Sequence, residues 1–170
     1  MTCLIMILKI GLISDTHDNI RNIEKAVTIF KKKDVGFILH AGDFVNPESV
    51  KPFKGIKLIG VLGNNDIDIT GLTNAFNNIN GELRGELCEM EQDGLRLVVY
   101  HGTKPHQKNS LIGSGKYDVV IYGHTHRLEK RNYGKIIVLN PGTANGWFFG
   151  YRATIAIFDT KTRYSEFVSL

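Results

Sequence analysis

A chain of 170 residues, 42% apolar and 22% charged, is long and hydrophobic enough to bury a core without staples, which excludes a disordered or fibrous chain. Its two cysteines, Cys3 and Cys88, have no paired spacing, arguing against a disulfide scaffold and for a reducing, cytoplasmic compartment. The net charge of +4 is mild, and Lys31-Lys32-Lys33 supplies much of it at the end of an expected helix, so charge by itself gives no nucleic-acid surface.

The apolar run Ile5 to Ile13 reads as a first strand buried on both faces. It opens into Ser14-Asp15-Thr16-His17, two metal-capable side chains one residue apart. Met1 to Leu8 lacks a basic leader and a small-residue cleavage site, so no signal peptide is expected. Met6 is an alternative start, which makes residues 1–6 a dispensable extension. No segment is long enough to cross a bilayer.

Asp18 or Asn19 can cap a helix with Ile20, Ile23, Ala26, Val27 and Phe30 on one stripe, ended by Asp34 and Gly36. Phe37 to His40 is a second strand opening into Ala41-Gly42-Asp43. Pro47 starts a short helix through Phe53, and Ile56 to Leu62 is a third strand opening into Gly63-Asn64-Asn65-Asp66. Three strand–helix units in a row predict a parallel sheet with right-handed crossovers, which gathers Asp15, Asp43 and Asn64 at the carboxyl ends of the strands.

The second half changes character. Leu83 to Glu91 and Leu95 to His101 flank Asp93-Gly94, a hairpin signal. A loop and short helix cover Pro105 to Ile112. Val119 to Tyr122 is a buried strand ending in Gly123-His124-Thr125-His126. Arg127 to Asn132 and Lys135 to Leu139 form a hairpin about Tyr133-Gly134, Asn140-Pro141-Gly142 is a turn, and Tyr151 to Asp159 pairs with Tyr164 to Ser169. The fold class is α/β: one domain over residues 1–170, with two mixed sheets face to face and helices outside.

Collected in order, the strand-end groups are Asp15, His17, Asp43, Asn64, His101, His124 and His126. Two carboxylates, one amide and four imidazoles exceed the needs of one tetrahedral zinc and suit two divalent ions sharing a carboxylate. Such donors favour Mn²⁺, Fe²⁺, Co²⁺, Ni²⁺ or Zn²⁺ over Ca²⁺. Glycines 42, 63, 102 and 123 sit beside them, where a Cβ would crowd the ions.

Asp15-Thr16-His17, Gly42-Asp43, Gly63-Asn64, His101-Gly102 and Gly123-His124-Thr125-His126 resemble, in order, the motifs of the calcineurin-like metallophosphoesterases, and most closely the small stand-alone phosphodiesterases of bacteria and archaea. The resemblance runs from about residue 7 onward and implies a four-layer αββα sandwich. It also implies that Asp15, His17 and His126 hold one metal, that Asn64, His101 and His124 hold the other, and that Asp43 bridges them. Mn²⁺ or Ni²⁺ is the expected pair of ions. The implied reaction is metal-dependent hydrolysis of a small phosphodiester by a hydroxide bridging the ions, with Asp43, Asn64 and an orienting His40 as the catalytic group.

The chain departs from much of that family at two positions. A histidine that assists the leaving group is replaced by Asn65, and the aspartate that orients it by Asn46. The departure leaves the general acid unassigned, with His106, in the loop after His101, the first side chain to consider. The resemblance extends to a retromer scaffold subunit that uses the fold to hold partners, a reading supported by Trp147-Phe148-Phe149 alone, and to DNA-repair nucleases, which carry an added domain and the missing histidine. A homo-oligomeric contact through the aromatic run is a further expectation. Neither a membrane nor nucleic acid is expected as a partner, beyond a nucleotide-type substrate.

Overall fold

Apolar runs that end in polar loops become the strands that set this architecture. The computed structural model describes residues 9–146 and 150–170. Residues 1–6, Cys3, Met6 and Trp147 to Phe149, on which the extension and oligomer expectations rest, lie outside the described residues.

Strand β1 (Lys9–Ile13) leads through Asn19 into α1 (Ile20–Lys32). The Asn19 side chain accepts the Asn22 N–H at 3.1 Å, so the expected cap is in place. Ile23, Ala26, Val27 and Phe30 are the buried stripe of α1, and Lys31 and Lys32 occupy its last turn. Strand β2 (Val35–His40) follows, then a 3₁₀ helix (Pro47–Phe53) and β3 (Leu58–Gly60). β3 is shorter than the apolar run 56–62, because only Leu58 to Gly60 find ladder partners on β2.

An α-helix that sequence patterning leaves unassigned, α2 (Ile69–Asn78), comes next, capped by Asp68, whose side chain accepts the Gly71 N–H at 2.9 Å. Its buried anchors are Leu72 and Phe76, four residues apart. Most of the other residues of α2, two Thr, three Asn and Gly71, are poor helix formers, so this helix depends on packing more than on propensity.

The expected strand 83–91 is two strands in two sheets. β4 (Glu82–Leu83) pairs with β3, while β5 (Leu87–Gln92) pairs with β6 (Leu95–Tyr100). Between them Gly85 has a φ of +70°, a turn that lets the chain pass from one sheet to the other. α3 (Pro105–Gly113) and β7 (Val119–Tyr122) follow, then the hairpin β8 (Leu128–Tyr133) and β9 (Ile136–Pro141). β9 runs two residues beyond the expected end, taking Asn140 and Pro141 out of the turn. β10 (Thr154–Asp159) and β11 (Ser165–Ser169) close the fold.

The first sheet has the order β11-β10-β1-β2-β3-β4 and the second β5-β6-β7-β9-β8. β1, β2, β3 and β4 run parallel, as do β6, β7 and β9, and the remaining pairs are antiparallel. Ile10, Leu12, Leu39, Leu97, Val99 and Ile121 belong to the core between the sheets. α1, α2 and the 3₁₀ helix cover the outer face of the first sheet through Phe30, Phe53 and Phe76. Leu111 and Ile112 of α3 cover the second through Val98, Val120 and Tyr122. These are the four expected layers. Among the described residues no helix is long and apolar enough to cross a membrane.

Phe30 is fully buried, and a Cβ added at Gly11 would lie 2.8 Å from its ring, so α1 and β1 are in close register there. Phe30→Ala is expected to cost about 3–5 kcal/mol of stability. Denaturant unfolding followed by circular dichroism measures this, and a loss below about 1 kcal/mol would mean that the helix collapses onto the vacated space.

Candidate metal centre

The parallel strands of both sheets end on the same edge, and their next residues converge. Asp15 follows β1 and its N–H donates to Gly42 O at 3.0 Å, and the N–H groups of Thr16 and His17 both donate to Asp43 O at 3.1 Å, which locks the first two loops together. Asp43 follows β2, Asn64 follows β3, His101 follows β6, and His124 and His126 follow β7.

Asp43 is the meeting point. Its Oδ2 lies 3.5 Å from His17 Nε2 and 3.3 Å from His101 Nε2, one imidazole from each expected ion set. His101 Nε2 is also 3.1 Å from Asn64 Oδ1. On the opposite side, His126 Nε2 is 3.2 Å from Asp15 Oδ1. Ring centroids pair the four histidines: His17 with His126 at 5.3 Å, and His101 with His124 at 5.2 Å. Ligand atoms of Asp15, His17 and His126 all lie within 4.8 Å of one another, as do those of Asp15, Asp43 and His101. All seven residues singled out in the sequence therefore reach one edge of the sandwich.

The donors also have the chemistry a cation needs. Asp15, 0% exposed, uses Oδ2 to accept from Ser14 Oγ at 2.5 Å and from the His124 N–H at 3.0 Å, while its buried Oδ1 has no hydrogen-bond donor. The buried Nε2 of His17 has no hydrogen-bond partner either. His101 Nδ1–H donates to Ala41 O at 2.7 Å, which fixes the tautomer of the neutral ring and leaves its Nε2 lone pair for a cation beside Asp43. Glycines keep the space open. A Cβ at Gly63 would collide with the Asp43 carboxylate, and one at Gly123 with Ser14 Oγ. These features fit divalent cations.

Burial tends to push the Asp43 carboxyl up, but hydrogen bonds and charge from His101 and hydrogen bonds from Asn65 hold it well below the usual range. Burial likewise opposes protonation of His101, and the Asp43 hydrogen bond with the Asp15 and Asp43 charges outweighs it, raising that imidazole. The Asp15 carboxylate beside it raises His126. Burial, aided by the His101 charge, lowers His124. A cluster of anions thus draws positive charge, which bound cations supply without the protons.

His40 stands behind this layer. It is fully buried, stacked on Phe44 with centroids 3.6 Å apart, and its Nδ1 accepts the Gly42 N–H at 3.1 Å. Nε2 then carries the proton toward Thr16 Oγ1 at 3.1 Å, and that hydroxyl donates to Asp43 O at 3.2 Å. Burial and the His101 charge lower its pKa, keeping the ring neutral. Its contacts are to the backbone and hydroxyl groups that hold Asp43.

Two bracing residues were not legible as such. The Asp66 carboxylate accepts from the N–H groups of Asp43 at 2.9 Å, Val45 at 2.8 Å and Gly63 at 2.7 Å, tying the second loop to the third. Asn140 donates to Gly123 O and Thr125 Oγ1, both at 3.0 Å, and accepts from Gly142 N–H at 2.9 Å, so it holds the His124 to His126 loop rather than merely turning the chain. Only the one-residue spacing of Asp66 from Asn64-Asn65 hinted at the first.

Asn65 and Asn46 do not meet as a pair. Asn65 Nδ2 donates to Asp43 Oδ2 at 2.7 Å. Asn46 instead donates its amide to the Asp18 carboxylate, which also takes the Asn46 N–H at 3.0 Å and Ser49 Oγ at 2.6 Å. His106 is exposed on α3.

Residues 8–163 match the calcineurin-like phosphoesterase superfamily domain. A phosphodiesterase of Methanocaldococcus jannaschii is 39% identical over 165 residues, 95% of this chain and 99% of that protein. The solved structure of an archaeal phosphodiesterase superposes with a TM-score of 0.91 at 36% identity, covering 96% of this chain and all of its own. Vps29 of Chaetomium thermophilum superposes with a TM-score of 0.71 at 16% identity, covering 96% of both chains, a likeness of fold alone.

Asp66→Ala removes a charged acceptor from three N–H donors, and is expected to cost at least about 2 kcal/mol of stability and to weaken metal binding. Asp66→Asn, which keeps one acceptor oxygen, should cost less. Denaturant midpoints measured with and without Mn²⁺ check both. An unchanged midpoint for Asp66→Ala would show that the two loops hold their shape without this brace.

Proposed function

Because the chain belongs to the calcineurin-like phosphoesterase superfamily, we propose that it is a phosphodiesterase acting on small phosphodiesters with two divalent transition-metal ions, Mn²⁺ or Ni²⁺, in the cluster around Asp43. The observation that carries the reading is one carboxylate oxygen, Asp43 Oδ2, between His17 and His101 at 3.5 and 3.3 Å. Asp15, His17 and His126 are the donors on one side, and Asn64, His101 and His124 on the other. Such a pair of cations supplies a nucleophile near neutral pH and offsets charge on the phosphoryl oxygens.

The protein's own residues do the rest. Asp43 balances the two cationic halves of the site. Asn64, exposed and within reach of His101 and of Thr103 Oγ1 at 3.4 Å, presents a carboxamide to the phosphoryl group. Asp66, Asn140 and His40 hold the loops, so no ligand must be ordered when substrate arrives. His40 acts as a positioning residue through Thr16 and Gly42. Cytoplasmic residence belongs to the same proposal, and the buried, unpaired thiol of Cys88 supports it.

The 39% identical relative named as a phosphodiesterase supports an enzyme over a scaffold. The scaffold alternative rested on Trp147 to Phe149, outside the described residues, and the nuclease alternative on a histidine that Asn65 replaces.

Activity on bis(p-nitrophenyl) phosphate is expected to require added Mn²⁺ or Ni²⁺ and to vanish in EDTA. Full activity in protein shown to be free of metal would overturn the reading. Asp43→Ala should lower the metal content of purified protein further than Asn64→Ala, since Asp43 serves both halves of the site. Equal content in the two variants, by elemental analysis, would remove the bridging role.

Asn65 cannot donate a proton to a departing oxygen, and a general acid is worth about 10²–10⁴-fold in rate. Rates should therefore rise steeply as the leaving-group pKa falls across a series of diesters. Asn65→His should flatten that slope. Adding Asn46→Asp is expected to help little, because the new carboxylate would face Asp18. A shallow slope in the unaltered protein would mean that another acid operates.

A further inference from the structure

Beside the centre, the loop that carries His124 and His126 opens into a groove of about 810 Å³ that follows β8. Glu129, Arg131 and Tyr133 occupy alternate positions of that strand and line one wall. Lys108 of α3, Arg127 and Tyr151 line the others.

Its charge is not balanced within the groove. Glu129 is spoken for: Arg131 Nε lies 3.3 Å from one of its oxygens, and Tyr122 Oη donates to the other. Among the described residues Lys108 and Arg127 have no such carboxylate. The Lys108 ammonium rests 4.3 Å from the centroid of the Tyr122 ring, and Arg127 Nε donates to Tyr151 Oη at 2.7 Å. Tyr133 leaves 44% of its surface exposed at the far end, with the Arg131 guanidinium 5.9 Å over one face of its ring and donating to its Oη at 3.2 Å.

A scissile phosphate would be neutralised at the metal cluster, so two further unopposed cations along the groove call for a second anionic group on the substrate. An exposed aromatic ring beside them calls for a flat ring, because every base has a π-face that stacks on an aromatic side chain. A nucleotide combines both. A second groove, of about 780 Å³, adjoins His17 and carries Arg21, Lys25 and Arg152, and among the described residues its one phenol ring, Tyr151, is shared with the first.

We propose that the groove along β8 binds one ester arm of the diester as a nucleotide, with the base against Tyr133 and a further phosphate between Lys108 and Arg127. The assignment rests on the phosphodiesterase reading above for its scissile phosphate, but not for its cations and rings.

The test compares two nitrophenyl diesters on the Mn²⁺-loaded protein: bis(p-nitrophenyl) phosphate, and thymidine 3′-phosphate carrying a 5′-(p-nitrophenyl phosphate). Nitrophenolate leaves from both, and any difference in intrinsic reactivity between them persists in the groove variants, so the part of the preference that those variants lose belongs to the groove. The nucleotide diester is expected to have a kcat/KM at least about tenfold higher, carried by KM, and Lys108→Ala with Arg127→Ala should abolish that preference. Tyr133→Ala should reduce it, and Lys25→Ala, in the other groove, should leave it in place. Equal kcat/KM for the two diesters overturns the assignment, as does an equal loss in Lys25→Ala, which would indicate a diffuse field.

A binding readout separates this inference from the reading on which it rests. Calorimetry should show thymidine 3′,5′-bisphosphate binding the loaded protein more tightly than inorganic phosphate, with the increment lost in Lys108→Ala/Arg127→Ala. That increment without hydrolysis of either diester would sink the phosphodiesterase reading and leave the groove standing. Hydrolysis without the increment would do the reverse.

Discussion

The Asp43 carboxylate, 1% exposed, is the constraint on which the rest of the structure depends. A buried anion is tolerated only where charge and hydrogen bonds answer it, since an uncompensated one costs several kcal/mol. Here the Asn65 N–H donates to Oδ1 at 2.9 Å, the Asn65 carboxamide and two imidazoles face Oδ2, and the backbone of Asp43 is pinned by Asp66 and Thr16. Asp15, equally buried, sets a second anion among the same histidines. Two carboxylates brought this close, with lone-pair nitrogens turned inward, form an arrangement that divalent cations stabilise and protons satisfy only in part.

Holding those groups together strains the backbone. Asp15, His17, Asp43, His124 and His126 all have positive φ, between 39° and 66°, a region that side-chain-bearing residues seldom occupy. Each sits where a strand stops and the chain must turn its side chain back over the sheet edge. The surrounding hydrogen bonds over-determine these conformations: Thr143 Oγ1 to Asp15 O at 2.9 Å, Ala144 N–H to Ser14 O at 2.9 Å, and Asn140 to the His124 loop. Rigid strands and bonded loops together make a preformed site, which suits a reaction that depends on positioning more than on covalent help from side chains.

Much of this was legible in the sequence because each candidate ligand follows an apolar run, and a buried strand advertises itself by composition. Ser14-Asp15-Thr16-His17, Gly42-Asp43 and Gly123-His124-Thr125-His126 needed only the rule that parallel strands carry their sites at one end. What stayed hidden depends on tertiary packing. α2 is held by Leu72 and Phe76 in a segment of weak helix formers. The run 83–91 divides at Gly85 because its two halves pair with different sheets, a choice that alternation along one strand cannot encode. Asn140 looked like a turn residue, and its bracing role exists only because β9 brings it beneath the His124 loop. Asn46 was read beside Asn65, whereas folding hands its amide to Asp18. The groove along β8 joins residues from α3, β8 and the chain after Gly150, and no local pattern links them.

The central claim is that two cations lie on either side of the Asp43 carboxylate. The most direct measurement is anomalous diffraction from crystals grown with Mn²⁺, collected above and below the manganese absorption edge. Two anomalous peaks are predicted, one among Asp15, His17 and His126 and one among Asn64, His101 and His124, with Asp43 touching both. A single peak, or peaks away from Asp43, would contradict the account.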